Sequence, residues 1–365
     1  MTAEPATPPE GCLTLADGTR HRGRLNGAMP DPSPTAAEVV FTTAMGGYPE
    51  AITDPSYQDQ ILVLAYPQAG IYGVPADQLQ SRTPMIRALV VRDLAPPPPA
   101  VESLEAYLGR HGVPILVGVD TSALVRRLRS QGTTLGTVAR GDAGATPDPT
   151  HAARPDPLRA TGMALEPADR AADADLTVAV LDLGLKRAVL EMLARVGGVD
   201  VRVYAPDAGA DAIVDGVDAV LVSPGPGDPA DMAPLVGLVR QVAERRPTFG
   251  ICLGHQLLAE AFGARTFKLP YGHRGVNHPV RHLPTEATWI TSHNHGYAVA
   301  EEGLSADWEI TARDLTDGTV EGLRHRRLPV VTLQFHPEGA PGPREADGAL
   351  RAFLDGVRAG LDGGR

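Results

Sequence analysis

Cysteine is nearly absent from this chain. Its 365 residues hold two, Cys12 and Cys252, far apart and in unlike surroundings. A disulfide framework is therefore not expected, and a reducing, cytoplasmic location is. No apolar run approaches the roughly 18 residues that a membrane span requires. The opening "MTAEPATPPEG" has neither a basic region nor an apolar stretch, so no secretory leader is read there. Positive charge is in deficit: a formal net charge of −11 argues against a nucleic-acid partner or an anionic membrane surface. No G-x-x-x-x-G-K-[ST] loop occurs and no G-x-G-x-x-G follows a strand, so the chain should bind no nucleotide of its own. The remaining composition, 43% apolar and 21% charged, is that of a soluble globular protein. The length exceeds one comfortable core, and two domains are expected.

The stretch 141–175, "GDAGATPDPTHAARPDPLRATGMALEPADRAADAD", has five prolines and no hydrophobic period, and reads as a linker. It separates an N-terminal domain (1–140) from a C-terminal one (176–365). In the first, "CLTLADGTRHRGRL" is a hairpin signal about Asp17-Gly18. Strands at "QILVLAYP" and "RALVVRDL" follow, then helices at "SLEAYLGRHG" and "TSALVRRLRSQG" around a strand "VPILVGV". This half is α+β, with no catalytic group in view. After the linker, continuous Val/Leu/Ala strands alternate with amphipathic helices, which predicts an α/β fold: a mostly parallel sheet with helices on both faces. A β-rich run and a closing helix end the chain. In such sheets the functional crevice lies beyond the carboxyl ends of the strands.

Three signals converge on that rim. "GICLG" (250–254) joins an apolar strand to the helix "LGHQLLAEAFG" and has the form G-x-C-x-G, the thiol counterpart of a nucleophile elbow. The helix aims its unpaired N–H groups at Cys252, which favours thiolate. In "LQFHPEG", Pro337 keeps His336 extended, so His336 and Glu338 point the same way and Glu338 can orient the imidazole. Nucleophile, base and orienter are then all present. In "SPGPGDP" (223–229), Pro224, Pro226 and Pro229 lack an N–H. The donors of Gly225, Gly227 and Asp228 remain for an oxyanion, beside that of Leu253. His293 and His295 in "SHNHG" share a strand face and could chelate, but no third ligand stands at useful spacing, so no metal is expected. The run "RHRR" (324–327) reads as a solvated hairpin edge.

Taken together, "SPGPGDP", "GICLGHQLL", "SHNHGYAV" and "LQFHPEGAPGP" resemble a class I, triad-type glutamine amidotransferase domain. "EVVFTTAMGGYPEAITDPSYQDQILVLAYPQAGIYGV", "VRDL" and "GHRGVNHPV" make the whole chain similar to the small subunit of carbamoyl-phosphate synthetase. The resemblance implies that Cys252 attacks the side-chain amide of L-glutamine, that His336 shuttles the proton and that Glu338 orients it. It implies main-chain donors at Leu253 and at Gly225 or Gly227, and a glutamine pocket lined by Gln256, Asn294, Gly296 and Tyr297. The ammonia would pass to a large synthetase subunit; no cofactor is expected in this chain, since ATP and Mg belong to that partner. Ala44 stands where well-known members have a serine touching glutamine, and Ser122 and Ala188 where arginine and asparagine are usual. A pathway-specific paralogue, a subunit of another synthase and a catalytically idle glutamine-binding scaffold are the alternatives.

Overall fold

The computed structural model describes residues 8–30, 36–141, 146–156, 161, 163 and 173–363. Residues 142–145, 157–160, 162 and 164–172 of the expected linker lie outside that set. The chain divides into two compact units, residues 1–79 with 83–155, and residues 80–82 with 156–365.

In the first unit the strands are β1 (Glu10–Leu15), β2 (Arg20–Gly27), β3 (Ala37–Thr42), β4 (Ile61–Leu64), β5 (Gln68–Ala69), β6 (Ala88–Val91), β7 (Asp93–Leu94), β8 (Pro114–Val117) and β9 (Thr134–Arg140). The hairpin expected at Asp17-Gly18 joins β1 to β2, with Thr14 opposite Arg20 and Gly18 at φ 82°, a conformation that favours glycine. Seven strands close into a barrel in the order β1-β2-β8-β6-β4-β3-β9, while β5 and β7 form a separate ribbon. Closure is the feature that local periodicity does not reveal, because β9 pairs with both β1 and β3 across long stretches of chain. Among the described residues three α-helices accompany the barrel: α1 (Tyr48–Thr53), α2 (Leu104–Arg110) and α3 (Thr121–Gln131). Ser103 and Asp120 cap α2 and α3 by accepting from the main-chain N–H three residues on. Leu104, Tyr107 and Leu108 of α2 join Leu89, Val91 and Ile115 of the barrel wall in one apolar cluster.

The second unit contains β10 (Leu176–Leu181), α4 (Arg187–Val196), β11 (Val199–Tyr204), α5 (Gly209–Val214), β12 (Ala219–Val222), α6 (Ala233–Ala243), β13 (Thr248–Ile251) and α7 (Leu253–Ala261). The β-rich part follows as β14 (Thr266–His282), β15 (Thr288–Val299), β16 (Trp308–Asp314), β17 (Val320–His325) and β18 (Val330–Leu333), and α8 (Gly348–Gly363) closes it. One nine-stranded sheet has the order β11-β10-β12-β13-β18-β17-β15-β14-β16. It is parallel from β11 to β18 and antiparallel beyond. Strand alternation divides its core in two. Ala179 and Leu181 of β10 with Val220 and Val222 of β12 face α5, α6 and α7. Val178, Val180 and Leu221 face α4 and α8. The two-faced parallel sheet expected from the Val/Leu/Ala strands is present. Its order reverses between β10 and β12, the crevice position for an open α/β sheet.

Candidate active site

Cys252 follows β13 directly and serves as the N-terminal cap of α7, at φ 53° and ψ −103°. That backbone is strained for any residue with a side chain, and it is what an elbow between strand and helix requires. The flanking glycines follow from the same turn. A Cβ on Gly254 would lie 2.3 Å from the Val222 carbonyl oxygen, and one on Gly250 would lie 2.8 Å from the backbone of Gly254. Both positions therefore exclude any larger residue. The Cys252 N–H donates to the Leu333 carbonyl (2.8 Å), which fixes the elbow to the end of β18.

Beyond β18 the chain bends at Gln334 and Phe335 and meets β15 at His336, whose N–H donates to the Ser292 carbonyl (2.8 Å). On the same strand as Ser292 the Asn294 carbonyl lies 3.8 Å from the Cys252 Sγ. The Gly339 N–H donates to the His336 carbonyl (3.2 Å), so Pro337 and Glu338 lie in a turn and not in the extended segment expected from Pro337. His336 Nδ1 is 2.7 Å from Glu338 Oε1, so the carboxylate anchors one face of the ring. Nε2 makes no hydrogen bond of good geometry. The Cys252 sulfur favours the charged imidazole. All three side chains are buried. Burial is the largest single influence and lowers the His336 pKa, as does the charge of Lys186; the Glu338 carboxylate and the Cys252 sulfur together outweigh them and raise the value to about 10. Burial likewise works to raise the Glu338 pKa, and the His336 and Lys186 cations bring it down to about 2. An imidazole anchored through Nδ1, cationic at neutral pH and with Nε2 toward a sulfur can hand a proton to a leaving group and take one back.

Lys186 is the participant that sequence reasoning missed. Its Nζ lies 3.2 Å from Glu338 Oε1 and donates to the Gly339 carbonyl at 3.2 Å. It stands at the start of α4, after a turn in which Asp182 Oδ1 accepts from the N–H groups of Gly184 and Leu185 (3.1 and 2.8 Å). The available signal was a lysine at the carboxyl end of a strand on the functional rim, in a chain with only two lysines.

The glycine loop also reaches the elbow. A Cβ on Gly225 would meet Leu253 Cδ2 at 2.9 Å, so the loop and the first residue of α7 are in contact. Gly227, at φ 102°, faces Met232 instead. Gln256 Nε2 donates to the Tyr297 carbonyl (2.8 Å) and to Gln334 Oε1 (3.0 Å), holding the Asn294–Tyr297 stretch against α7. Gly296 lies beside Arg274 in the same unit. Ala44 belongs to the first unit, in the loop after β3, where it lines a small depression with Thr42, Gly47 and Tyr48. Ser122 is exposed on α3. Ala188 is buried, and its N–H donates to Gln80 Oε1 (3.0 Å).

Around His293 and His295 the structure corrects the sequence reading, which found no third ligand. His273 and His278 of β14, Asp314 of β16 and Glu321 of β17 gather at the same place.

Two family descriptions match the chain: "Carbamoyl-phosphate synthase small chain, CPSase domain" over residues 13–138, and "Glutamine amidotransferase class-I" over residues 179–355. The carbamoyl phosphate synthase small chain of Symbiobacterium thermophilum is 47% identical over 355 residues, covering 93% of this chain and 96% of that one. The arginine-specific small chain of Bacillus subtilis is 39% identical over 354 residues, covering 95% and 97%. The pyrimidine-specific small chain of Lactiplantibacillus plantarum is 38% identical over 351 residues, covering 94% of each. The arginine-specific and pyrimidine-specific relatives differ by one percentage point in identity, so identity does not separate the two pathways.

Proposed function

The chain belongs to the carbamoyl-phosphate synthase small-chain family, and from that premise we propose that it hydrolyses glutamine through a Cys252 thioester and delivers the ammonia to a large synthetase subunit. The observation that carries the reading is the buried grouping of Cys252, His336, Glu338 and Lys186 at the end of the parallel sheet. In the first half-reaction the Cys252 sulfur attacks the side-chain amide carbon of glutamine. The oxyanion is held by main-chain N–H groups at Leu253 and Gly225, where the loop meets the elbow. His336 gives its proton to the departing nitrogen, so the C–N bond breaks as ammonia leaves and a glutamyl thioester remains. In the second half-reaction His336 takes a proton from water, which attacks the thioester carbon. Glutamate departs and the thiolate returns. Glu338 keeps Nδ1 engaged throughout, and Lys186 offsets the second negative charge in the buried site.

The large subunit supplies the ATP, bicarbonate and Mg chemistry in this reading, and a cytoplasmic setting accords with two unpaired cysteines. Among the described residues no helix is long and apolar enough to cross a membrane. The test is glutamate release by the complex of this chain with its large subunit, for wild type and Cys252→Ser. Loss of glutamine-dependent but not ammonia-dependent carbamoyl phosphate formation is expected. Retention of glutamine-dependent activity by the serine variant would remove the cysteine mechanism, and absence of glutamate release from the wild-type complex would favour a scaffold role.

A further inference from the structure

One face of β15 carries the strongest unassigned chemistry. Ser292 and Asn294 meet His336 and Cys252 through their main-chain carbonyls. His293 and His295, two residues apart on the same strand, share one face of it. There, His273 of β14 is the direct cross-strand partner of His295, which places both on one face, and the register shifts on either side of His273–Gly275 re-aim that short run. Glu321 of β17, fully buried, completes the group. One ring nitrogen from each of His273, His293 and His295 and a Glu321 oxygen all lie within 4.8 Å of one another.

The outer nitrogen of each imidazole is committed as a donor. His273 Nε2 lies 2.8 Å from Asp317 Oδ2, a carboxylate that can only accept. His295 Nδ1 lies 2.8 Å from the Tyr297 carbonyl, which also only accepts. The Thr291 hydroxyl gives its one proton to the His278 carbonyl (2.9 Å), so in its 2.7 Å contact with His293 Nε2 the imidazole must donate. In the neutral rings these three bonds fix the tautomers and leave the inward nitrogens as acceptors, His273 being the ring whose protonated form the Glu321 and Asp317 carboxylates favour. His273 Nδ1 has no partner there. His293 Nδ1 and His295 Nε2 face each other at 3.1 Å as two acceptors. Glu321 Oε1 is 3.7 Å from His273 Nδ1 and 3.9 Å from His295 Nε2, and Oε2 is 3.7 Å from His293 Nδ1. Apart from a 3.4 Å bond from Thr319 to Oε1, the carboxylate has no donor, and Oε2 has none.

Two buried lone pairs facing each other beside a carboxylate lack one thing, a cation between them. Ligand atoms of a tetrahedral ion at about 2.0–2.1 Å stand roughly 3.3–3.4 Å apart, close to the separation of the two imidazole nitrogens. Imidazoles whose second nitrogen donates to a carboxylate, hydroxyl or carbonyl are the usual form of metal-bound histidine. We propose that His273, His293, His295 and Glu321 bind a divalent transition-metal ion of the zinc type, with Asp317, Thr291 and the Tyr297 carbonyl as its outer shell. Three nitrogens and one carboxylate oxygen suit Zn²⁺ and Co²⁺ and disfavour Mg²⁺ and Ca²⁺, which prefer oxygen. Four protein ligands make the site structural. It ties β14, β15 and β17 together next to the carbonyls that position His336 and lie against Cys252, and it is independent of the glutamine chemistry proposed above.

The test is metal content of the full-length chain, stripped with chelator and re-equilibrated with Zn²⁺ or Co²⁺. One ion per chain is expected, with the intense visible absorption of tetrahedral Co²⁺. His293→Gln and Glu321→Gln should weaken Zn²⁺ binding by more than the roughly 10–100-fold that loss of an outer-shell partner costs. Asp317→Asn should weaken it within that range. Cys252→Ala and His282→Gln, outside the set, should bind as wild type does. Sub-stoichiometric metal in the wild type, the weak spectrum of octahedral Co²⁺, or Zn²⁺ binding that survives His293→Gln each overturns the proposal. The wild-type spectrum decides the matter even where a variant fails to fold.

Discussion

Glu338 and Glu321 are both fully buried carboxylates of the second unit, and their pKa values move in opposite directions. Burial raises both. At Glu338 the His336 ring at 2.7 Å and Lys186 Nζ at 3.2 Å more than offset it, and the value falls to about 2. At Glu321 the nearest imidazole nitrogens stand 3.7 to 3.9 Å away, burial prevails over the opposing influence of His273, and the value rises to about 7. Depth does not separate the two, since both are fully buried; Glu338 has two opposite charges close at hand, whereas His293 and His295 beside Glu321 are held neutral by their own burial.

The largest effect should come from removing each carboxylate in turn. Glu338→Gln presents an amide N–H to His336 Nδ1 or leaves that nitrogen unsupported, and the ring loses the tautomer and charge that its partner enforces. Glutaminase kcat should fall on the order of 10⁴-fold, the scale of such a change in a comparable triad. Glu321→Gln touches none of the reacting groups and should cost less than about tenfold, roughly 1.4 kcal/mol in the barrier. Steady-state glutamate release with the large subunit present measures both. Equal losses would show that the difference in their surroundings has no functional meaning.

Lys186→Met sharpens the comparison by making Glu338 more like Glu321. The carboxylate then keeps one cation instead of two, its pKa rises, and breaking the buried pair should cost about 3 kcal/mol of stability. A folded pKa below the ordinary 4.5 means that the stabilisation from Glu338 is present above pH 4.5 and is lost as pH falls toward 2. The gap between wild type and Lys186→Met should therefore be wide at pH 6 and narrow at pH 3 in urea unfolding. The same gap at both values would assign Lys186 to packing rather than charge.

What the sequence makes legible is local. "GICLG" encodes the elbow because two glycines and one cysteine between a strand and a helix leave little other use for the turn. "HPE" names the histidine–carboxylate pair, but the expected alternation along an extended segment is not what joins them. Pro337 and Glu338 lie in a turn closed by the Gly339 N–H on the His336 carbonyl (3.2 Å), and the carboxylate meets the ring within it. Lys186 was not legible: it meets Glu338 across 152 residues of chain, and at a helix start it reads as a solvated side chain. The barrel was hidden for a similar reason, since β9 must return to both β1 and β3. The histidine cluster draws on three strands, so two histidines in "SHNHG" carried no sign of His273 or Glu321. Gln256 was named only through the resemblance, and its amide donates to the Tyr297 carbonyl and Gln334 Oε1, a partnership that depends on where β15 and the segment after β18 lie.

The smallest effect should come from the histidine that stands closest in sequence to the nucleophile. His255 lies three residues after Cys252, yet one turn of α7 carries it into the core, where Nδ1 is 2.8 Å from Thr332 Oγ1 and Nε2 has no partner. Burial with no compensating anion lowers its pKa to about 3. It is neutral wherever the enzyme works, and it cannot serve as the cationic proton donor that His336 supplies. For a base with a lowered folded pKa, the unfolded state takes up a proton below pH 6.5 that the folded state refuses. Stability is thus retained above pH 6.5 and is lost as pH falls toward 3. His255→Gln should keep glutaminase within about threefold, less than 1 kcal/mol in the barrier. It should cost about 1 kcal/mol of stability at pH 7.5 through the altered bond to Thr332. It should also remove this group's share of the acid slope, so wild type and variant converge in urea midpoint between pH 6.5 and 5. A loss of activity as deep as that of Cys252→Ser would instead make His255 the proton carrier and leave His336 with only a structural part.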